Sequence, residues 1–191
     1  MTRTFRHVLT VVLAVTAVVL PVAAATTPEP TPVAAASCST PWGSTPEVVP
    51  QLGRAPLTAV RTGRHDCFDR VVFDLAGPGA GYHVEYVDHV TQDGSGTVLD
   101  VPGGARLLVS VDHPAYDDAG KPTIVPPPTA GRQIADVNGY QTLRSVVYGG
   151  SFEGATTFGV GVRARLPSRV LTVDTPGAGA RLVVDVAHAW S

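Results

Sequence analysis

The sequence has too little positive charge to bind a nucleic acid through its phosphate backbone. Its 191 residues include 14 lysine and arginine against 16 aspartate and glutamate side chains. Without Arg3 and Arg6, which lie in a leader-like segment, the count is 12 basic against 16 acidic side chains. Binding to a phosphate backbone needs a basic patch, and the sequence has none. We therefore expect no nucleic-acid partner.

Helical patterns are missing from the sequence after residue 37. No run of ten or more residues free of Gly and Pro shows apolar residues at a period of 3.6. Short segments rich in β-branched and aromatic residues predict strands instead. These segments are 57–61, 70–76, 82–87, 97–101, 105–111, 143–149, 156–165, 169–173 and 180–187. We predict an all-β domain without substantial helix, built as a sandwich or a barrel.

Long apolar runs are confined to the N-terminal segment. Basic residues precede the apolar run 8–25, which ends in three alanines, as is typical of a signal peptide. The alternative is an uncleaved membrane anchor, because the run is nearly long enough to cross a bilayer. We predict a signal peptide at 1–25, a tether rich in Pro, Thr and Ala at 26–37, and one secreted, extracytoplasmic domain at 38–191.

Cysteine is scarce, and Cys38 and Cys67 are the only two. In an exported chain a single pair of cysteines most simply forms a disulfide, which requires Cα atoms within about 7 Å of each other. The alternative is a lipidated Cys38, because small residues precede it in "AAASC". We expect contact with a membrane only through that lipid or through an uncleaved signal segment.

Two predicted strands repeat one pattern, "RVVFDL" at 70–75 and "RLVVDV" at 181–186. Alternation along a strand places every second residue on one face. We predict that the apolar set lies in the core, namely Val71, Phe73, Leu75, Leu182, Val184 and Val186. The charged set, namely Arg70, Asp74, Arg181 and Asp185, should form an exposed polar face with charge pairs. A weaker third copy, "RLLVSV" at 106–111, suggests related sheets built from similar strands.

The segment 112–142 is unusual, because it carries five prolines and few apolar residues. It is longer than the loops that merely connect two strands in a compact domain. Its side chains suited to gripping a sugar or a peptide are Tyr116, Arg132, Asn138 and Tyr140. The alternative is a loop that packs over a sheet edge. If it binds a ligand, we expect its removal to abolish binding and to leave the fold intact.

A polar cluster precedes the first repeated strand in "VRTGRHDCFDR", residues 60–70. Arg61, Arg64 and His65 are further candidate binding residues. The alternative is a structural role, in which these side chains satisfy backbone groups at the entry to the strand. Trp42 and Trp190 are similarly expected to act as lids on the core, although aromatic rings also bind sugars.

Motifs for catalysis and for metal binding are weak. Neighbouring residues in "RHDC" (64–67) point in opposite directions along a strand, and no H-E-x-x-H or H-x-H pattern accompanies "DHPAYDD" (112–118). Ser151 lies between glycines, but the nucleophile-elbow pattern G-x-S-x-G is missing. We expect no metal, no cofactor and no catalytic residues. The alternative is a small secreted hydrolase in which Ser151 acts with a distant His65, His113 or His188.

Several stretches, read in order, resemble the AMIN-like domain family of small exported bacterial, mainly actinobacterial, proteins. They are "CSTPWGS" (38–44), "VRTGRHDCFDRVVFDLAG" (60–77), "GYHVEYV" (81–87), "LRSVVYGGSFEGATTFGVGVRARLP" (143–167) and "RLVVDVAHAW" (181–190). The resemblance implies a β-sandwich of two related sheets. It also implies a non-catalytic module of the cell envelope that binds peptidoglycan, another wall polymer or an envelope protein.

Overall fold

Ten strands build the protein in a computed structural model that describes residues 38–79, 81–177 and 179–191. The predicted signal peptide and tether lie outside the described residues. The strands are β1 (Glu47–Val49), β2 (Leu57–Arg64), β3 (Phe68–Leu75), β4 (Tyr82–Val87), β5 (Ala105–Val111), β6 (Arg132–Gln133), β7 (Leu143–Phe152), β8 (Ala155–Val162), β9 (Ser168–Thr175) and β10 (Gly179–Ala187). None of the described residues forms a helix, and accordingly none forms a long apolar helix that could cross a membrane.

The strands form two antiparallel sheets that face each other as a β-sandwich. The larger sheet has the order β1-β4-β5-β8-β7-β6, and the smaller sheet has the order β2-β3-β10-β9. This architecture confirms the predicted all-β sandwich. Two strands, β1 and β6, are too short for sequence patterns to reveal. The predicted strand at 97–101 is wrong, because only an isolated bridge between Val98 and Thr91 forms there.

One continuous core fills the space between the sheets. All six residues of the predicted apolar set are buried, and none is more than 3 % exposed. Phe73 of the smaller sheet meets Phe158 of the larger sheet with ring centroids 4.8 Å apart. Large side chains from opposite sheets therefore interdigitate at the centre of the sandwich, where each buried aromatic ring contributes strongly to stability.

The two repeated strands lie side by side in one sheet. β3 and β10 pair antiparallel over their full length, with Arg70 opposite Asp185 and Asp74 opposite Arg181. The pairing therefore brings two copies of one charge pattern into contact, with each arginine facing the other copy's aspartate. The weaker third copy lies in β5 of the larger sheet, so similar strands occur in both sheets, as the sequence suggested.

The outer face of the larger sheet is covered by its own connecting segment. Val90, Leu99 and Val101 leave the sheet plane between β4 and β5 and pack on Val147 as a second, smaller apolar cluster. The smaller sheet has no corresponding cover within the described residues, since no strand or apolar cluster lies over its outer face. Among the residues that the structure describes, only the outer face of the smaller sheet is thus left open to a ligand.

The segment 112–142 packs along the edge strand β2. The Thr123 hydroxyl donates to the Leu57 carbonyl at 2.6 Å, and Ala115, Ile124 and Val137 are buried in the main core. The sequence-based expectation that this segment could be removed without harm to the fold is therefore wrong. Its removal would expose the core and leave the polar edge of β2 unprotected.

A disulfide links the N-terminal segment to the turn that precedes β3. Cys38 and Cys67 are bonded, with Cα atoms 5.3 Å apart, which confirms the predicted bond. The bond leaves no thiol at Cys38 for a lipid. It anchors the start of the domain to the smaller sheet.

We expect Phe73→Ala to lower the free energy of unfolding by about 3–5 kcal/mol, because it leaves a cavity opposite Phe158. Chemical denaturation of the variant measures this loss. Phe152→Ala is the matched control, since Phe152 is 49 % exposed and its truncation should change stability by less than about 1 kcal/mol. Equal losses in the two variants would contradict the assignment of Phe73 to the centre of the core.

Reduction of the Cys38–Cys67 bond should lower the free energy of unfolding by about 3–4 kcal/mol. The bond closes a loop with a sequence separation of 29, and opening such a loop raises the entropy of the unfolded chain by about this amount. Thermal unfolding with and without reductant tests the effect. A Cys38→Ser/Cys67→Ser variant should unfold at the same temperature in both buffers.

Candidate functional site

The open outer face of the smaller sheet combines charged and aliphatic side chains. Along β3, burial alternates, so Asp69, Val71, Phe73 and Leu75 point inward. The outward positions are Phe68, Arg70, Val72 and Asp74. The paired strands add Arg61 from β2, Arg181, Val183 and Asp185 from β10, and Arg169, Leu171 and Val173 from β9 by the same alternation. We call this surface the arginine face.

The charged residues of the arginine face form two groups with the same composition. In the first, which we call the buried triad, Arg70 donates from Nε and Nη2 to the two carboxylate oxygens of Asp185 at 2.6 and 2.9 Å. Arg169 donates from Nε to the same carboxylate at 2.9 Å. The Asp185 carboxylate is fully buried between these two guanidinium groups, so it is the best-protected charge on this face.

The second group, the exposed triad, repeats this arrangement around Asp74. Arg61 donates from Nε and Nη2 to Asp74, both at 2.6 Å. Arg181 Nε lies 3.5 Å from the same carboxylate. The side chains of Arg61 and Arg181 are 55 % and 49 % exposed, so water screens this group much more than the buried triad.

Hydrogen bonds to the aspartates hold the arginines in their charged form. The hydrogen bond to Asp74 raises the pKa of Arg61 above its usual value. The hydrogen bond to Asp185 raises the pKa of Arg70 in the same way. Each triad contains two guanidinium groups and one carboxylate, so the arginine face has a surplus of two positive charges in a protein whose formal net charge is −2.

Aromatic rings cover one end of the arginine face. Trp42 lies edge-on to Phe68 with centroids 5.6 Å apart, and His65 stacks on Phe68 at 4.4 Å. The Arg169 guanidinium lies 4.2 Å from the Trp42 ring centroid. These rings exclude water from the buried triad and explain why Asp185 is buried while Asp74 is not. The prediction of an exposed polar face is therefore wrong for Asp185.

A shallow depression of about 400 Å³ lies at the centre of the arginine face. Val72 and Val183 are among its aliphatic lining residues, and Arg61, Arg70, Arg181 and His65 also line it. Val183 is 4 % exposed, whereas Val173, which also lines the depression, is 42 % exposed, so the aliphatic surface is only partly recessed between the charged groups. The depression thus offers contact area and guanidinium donors to an anionic ligand.

The structure brings together only two of the candidate binding residues on this face, Arg61 and His65. Arg64 lies at the end of β2, where its guanidinium is 5.8 Å from the Tyr140 ring. The Tyr140 hydroxyl donates to the Thr62 hydroxyl at 2.9 Å. Arg64 and Tyr140 thus hold the segment 112–142 against β2, which supports the structural interpretation of that segment.

The remaining candidates are dispersed. Asn138 belongs to a turn in which its backbone N–H donates to the Asp136 carboxylate at 2.9 Å. Arg132 is exposed in β6, at the edge of the larger sheet. Tyr116 accepts from the Gly154 N–H at 3.2 Å, and the neighbouring Pro114 carbonyl bonds to Leu57 at the start of β2. Tyr116 therefore lies near the start of β2, whereas Arg64 lies at its end. These two positions are about 23 Å apart along the strand.

Sequence reasoning did not identify Arg70, Arg169 and Arg181 as candidates for binding. The sequence predicts charge pairs for Arg70 and Arg181, but it does not reveal the pairing partner of either strand. The pattern Arg-x-x-x-Asp in two strands is the sequence signal for these charge groups. When two such strands pair antiparallel, each arginine lies opposite the aspartate of the other strand. Arg169, in the strand before the second copy, adds the third side chain to the buried triad.

Part of the polar cluster before β3 has a structural role. Asp69 is buried and accepts hydrogen bonds from the Thr142 and Leu143 backbone N–H groups at 2.5 and 3.0 Å. His188 Nε2 lies 3.1 Å from the other Asp69 carboxylate oxygen. These contacts connect the start of β3 to β7 and to the end of β10.

Trp190 is 57 % exposed, so the prediction that it acts as a lid on the core is wrong.

Ser151 is engaged in structural hydrogen bonds. Its hydroxyl accepts from the Ala115 N–H at 2.9 Å and donates to the Ala155 carbonyl at 3.0 Å. Among the described residues, no histidine ring nitrogen hydrogen bonds to Ser151. His113 Nδ1 is instead 2.6 Å from the Ala55 carbonyl oxygen, and its Nε2 is buried without a hydrogen-bond partner.

Metal-ligating side chains are not grouped in the part of the chain that the structure describes. No set of three or more His, Cys, Asp or Glu side chains there has an arrangement suited to a metal ion. Cys67 is unavailable as a ligand because its sulfur is bonded to Cys38. The neighbouring His65 stacks on Phe68 rather than turning toward other ligands.

Comparison with known protein families gives a match to the AMIN-like domain. The sequence model of this domain matches residues 55–188. The matched range includes β2 to β10 and both triads, but it does not include the segment that carries Trp42. A search of curated proteins finds no significant match to the chain.

The two triads predict different costs for the same substitution. Asp185→Asn should lower the free energy of unfolding by about 3 kcal/mol, because two partly buried guanidinium groups lose their counter-charge. Asp74→Asn should cost less than about 1 kcal/mol, because Arg61 and Arg181 remain hydrated. Urea denaturation of both variants provides the comparison, and a larger loss for Asp74→Asn would contradict the burial described above.

Proposed function

The chain belongs to the AMIN-like domain family, and we propose that it binds peptidoglycan or another envelope component on the arginine face without turning it over. AMIN-like domains are generally binding modules associated with the cell envelope. The domain and its disulfide together indicate an extracytoplasmic protein. The proposal assigns the binding role of the family to a particular surface.

The observation that carries the proposal is the surplus of guanidinium groups around an aliphatic depression. Wall polymers carry carboxylates and phosphates, and arginine binds both through paired N–H donors. In both triads the aspartate occupies donors on one side of an arginine, and further donors remain for a ligand. The uncovered position of this face leaves the donors accessible.

The hydrolase alternative has less support. A nucleophilic serine needs a base within hydrogen-bond reach, whereas the Ser151 hydroxyl bonds to backbone groups of Ala115 and Ala155. The candidate partner His188 is held by Asp69 on another part of the domain. We therefore assign Ser151 to the support of the β7–β8 hairpin and propose no turnover of the bound polymer.

Co-sedimentation of the purified protein with purified cell walls tests the proposal. Arg61→Gln/Arg181→Gln should weaken binding at least about tenfold, equal to about 1.4 kcal/mol, because it removes two charges from the arginine face. These two positions are chosen because Asp74, their partner, retains access to water. Thermal unfolding verifies that the variant is folded.

Arg54→Gln/Arg132→Gln is the matched control. It removes the same charge from exposed arginines outside the arginine face and should bind as the unchanged protein does. Equal weakening in both double variants would show that net charge, rather than this face, determines binding. Release of soluble wall fragments that is lost in Ser151→Ala would overturn the non-catalytic proposal in favour of the hydrolase.

A further inference from the structure

The two surplus charges of the arginine face are separated by a defined distance. Arg70 and Asp74, which belong to different triads, lie four residues apart in β3. At a rise of about 3.3 Å per residue, the triads are about 13 Å apart along the strands. Each triad has one surplus positive charge, so a small anion can neutralise one triad but not both. A ligand that engages both must be extended and must carry at least two anionic groups.

We propose that the ligand is a linear wall polymer with phosphodiester groups, which lies across the arginine face along β3 and β10. This inference rests on the proposed function and specifies its ligand. A phosphodiester carries one negative charge and two terminal oxygens, so a single group matches the surplus charge of one triad. Phosphodiesters also follow one another along a polymer backbone, whereas the carboxylates of peptidoglycan peptides lie on separate branches.

The guanidinium groups have donors left for such a ligand. Arg61 and Arg70 each use Nε and Nη2 to hold an aspartate, which leaves the Nη1 donors of both. Arg169 bonds to Asp185 through Nε alone, so both of its terminal nitrogens remain. Five N–H donors per arginine allow an aspartate and a ligand oxyanion to be bound at once. Because the aspartates also fix the arginine rotamers, less side-chain entropy is lost on binding.

The surface between the triads is aliphatic as well as charged. Val72 and Val183 line this part of the depression and offer no hydrogen-bonding groups to sugar hydroxyls. Val183 is recessed at 4 % exposed, whereas Val173, which also lines the depression, is 42 % exposed, so aliphatic surface beside the triads is accessible to the carbon chain of a ligand. A chain whose carbon linkers lie over the valines, with its phosphates on the triads, matches both the aliphatic surface and the surplus charges.

The test compares binding of the full chain to two preparations of one wall sample. One is intact, and the other has been treated with cold hydrofluoric acid to remove phosphodiester polymers. We expect the treated walls to bind at least about tenfold more weakly. Linear inorganic polyphosphate should compete with intact walls, while inorganic phosphate at the same phosphorus concentration should not, because only the linear polymer reaches both triads.

A variant that retains one triad isolates the role of their spacing. In Arg61→Gln/Arg181→Gln only the buried triad keeps its surplus charge, so polyphosphate should lose its advantage over inorganic phosphate. Arg54→Gln/Arg132→Gln should retain that advantage in full. An advantage of the same size in all three proteins would reflect general charge attraction and would overturn the two-triad proposal.

The remaining outcomes separate this inference from the proposed function. Equal binding to treated and intact walls, with loss in Arg61→Gln/Arg181→Gln, would keep the arginine face as the binding site and refute the phosphodiester ligand. Failure to sediment with either wall sample would refute the proposed function itself. Binding to vesicles of phosphatidylglycerol, but not to walls, would place the protein on a membrane surface and refute both.

Discussion

Antiparallel pairing of β3 with β10 is the constraint on which the rest of the structure depends. Both strands carry arginine and aspartate four residues apart, and pairing in opposite directions places each arginine against the other strand's aspartate. The same register points Phe73 and Val184 into the core. A shift by one residue would bury the charges and expose the apolar residues, so one pairing determines both the core and the arginine face.

The two triads show how their surroundings change the effect of one chemical group. Asp185 is shielded by Arg70 and Arg169, and the rings of Trp42 and Phe68 cover these arginines. Asp74 has two arginines of the same kind but no aromatic cover. Removal of the aspartate from the buried triad is therefore costly, whereas the exposed triad can lose its arginines at little cost. This difference makes the exposed triad the better site for testing binding without unfolding the protein.

The coverage of the sandwich explains why binding is assigned to a sheet face rather than to a loop. The segment 88–101 covers the larger sheet through Val90 and Leu99, and the segment 112–142 closes the edge beside β2 through Ile124 and Tyr140. Both long connections are therefore part of the packing. The smaller sheet keeps an uncovered outer face, where a regular array of strands fixes the positions of the arginines more firmly than a loop would.

The sequence by itself determined eight of the ten strands, the disulfide and the inward residues of β3 and β10. These features depend on alternation and on residue types that neighbouring positions already reveal. Arg61 and His65 were identified for the same reason, since they lie in a conspicuous polar cluster. Only the tertiary structure decided that the repeated strands are neighbours, that Asp185 is buried and that Arg169 joins Arg70 around it. Those facts depend on contacts between strands that are up to 115 residues apart in the chain, and the local pattern of a strand does not specify which partner it pairs with or what covers its outer face.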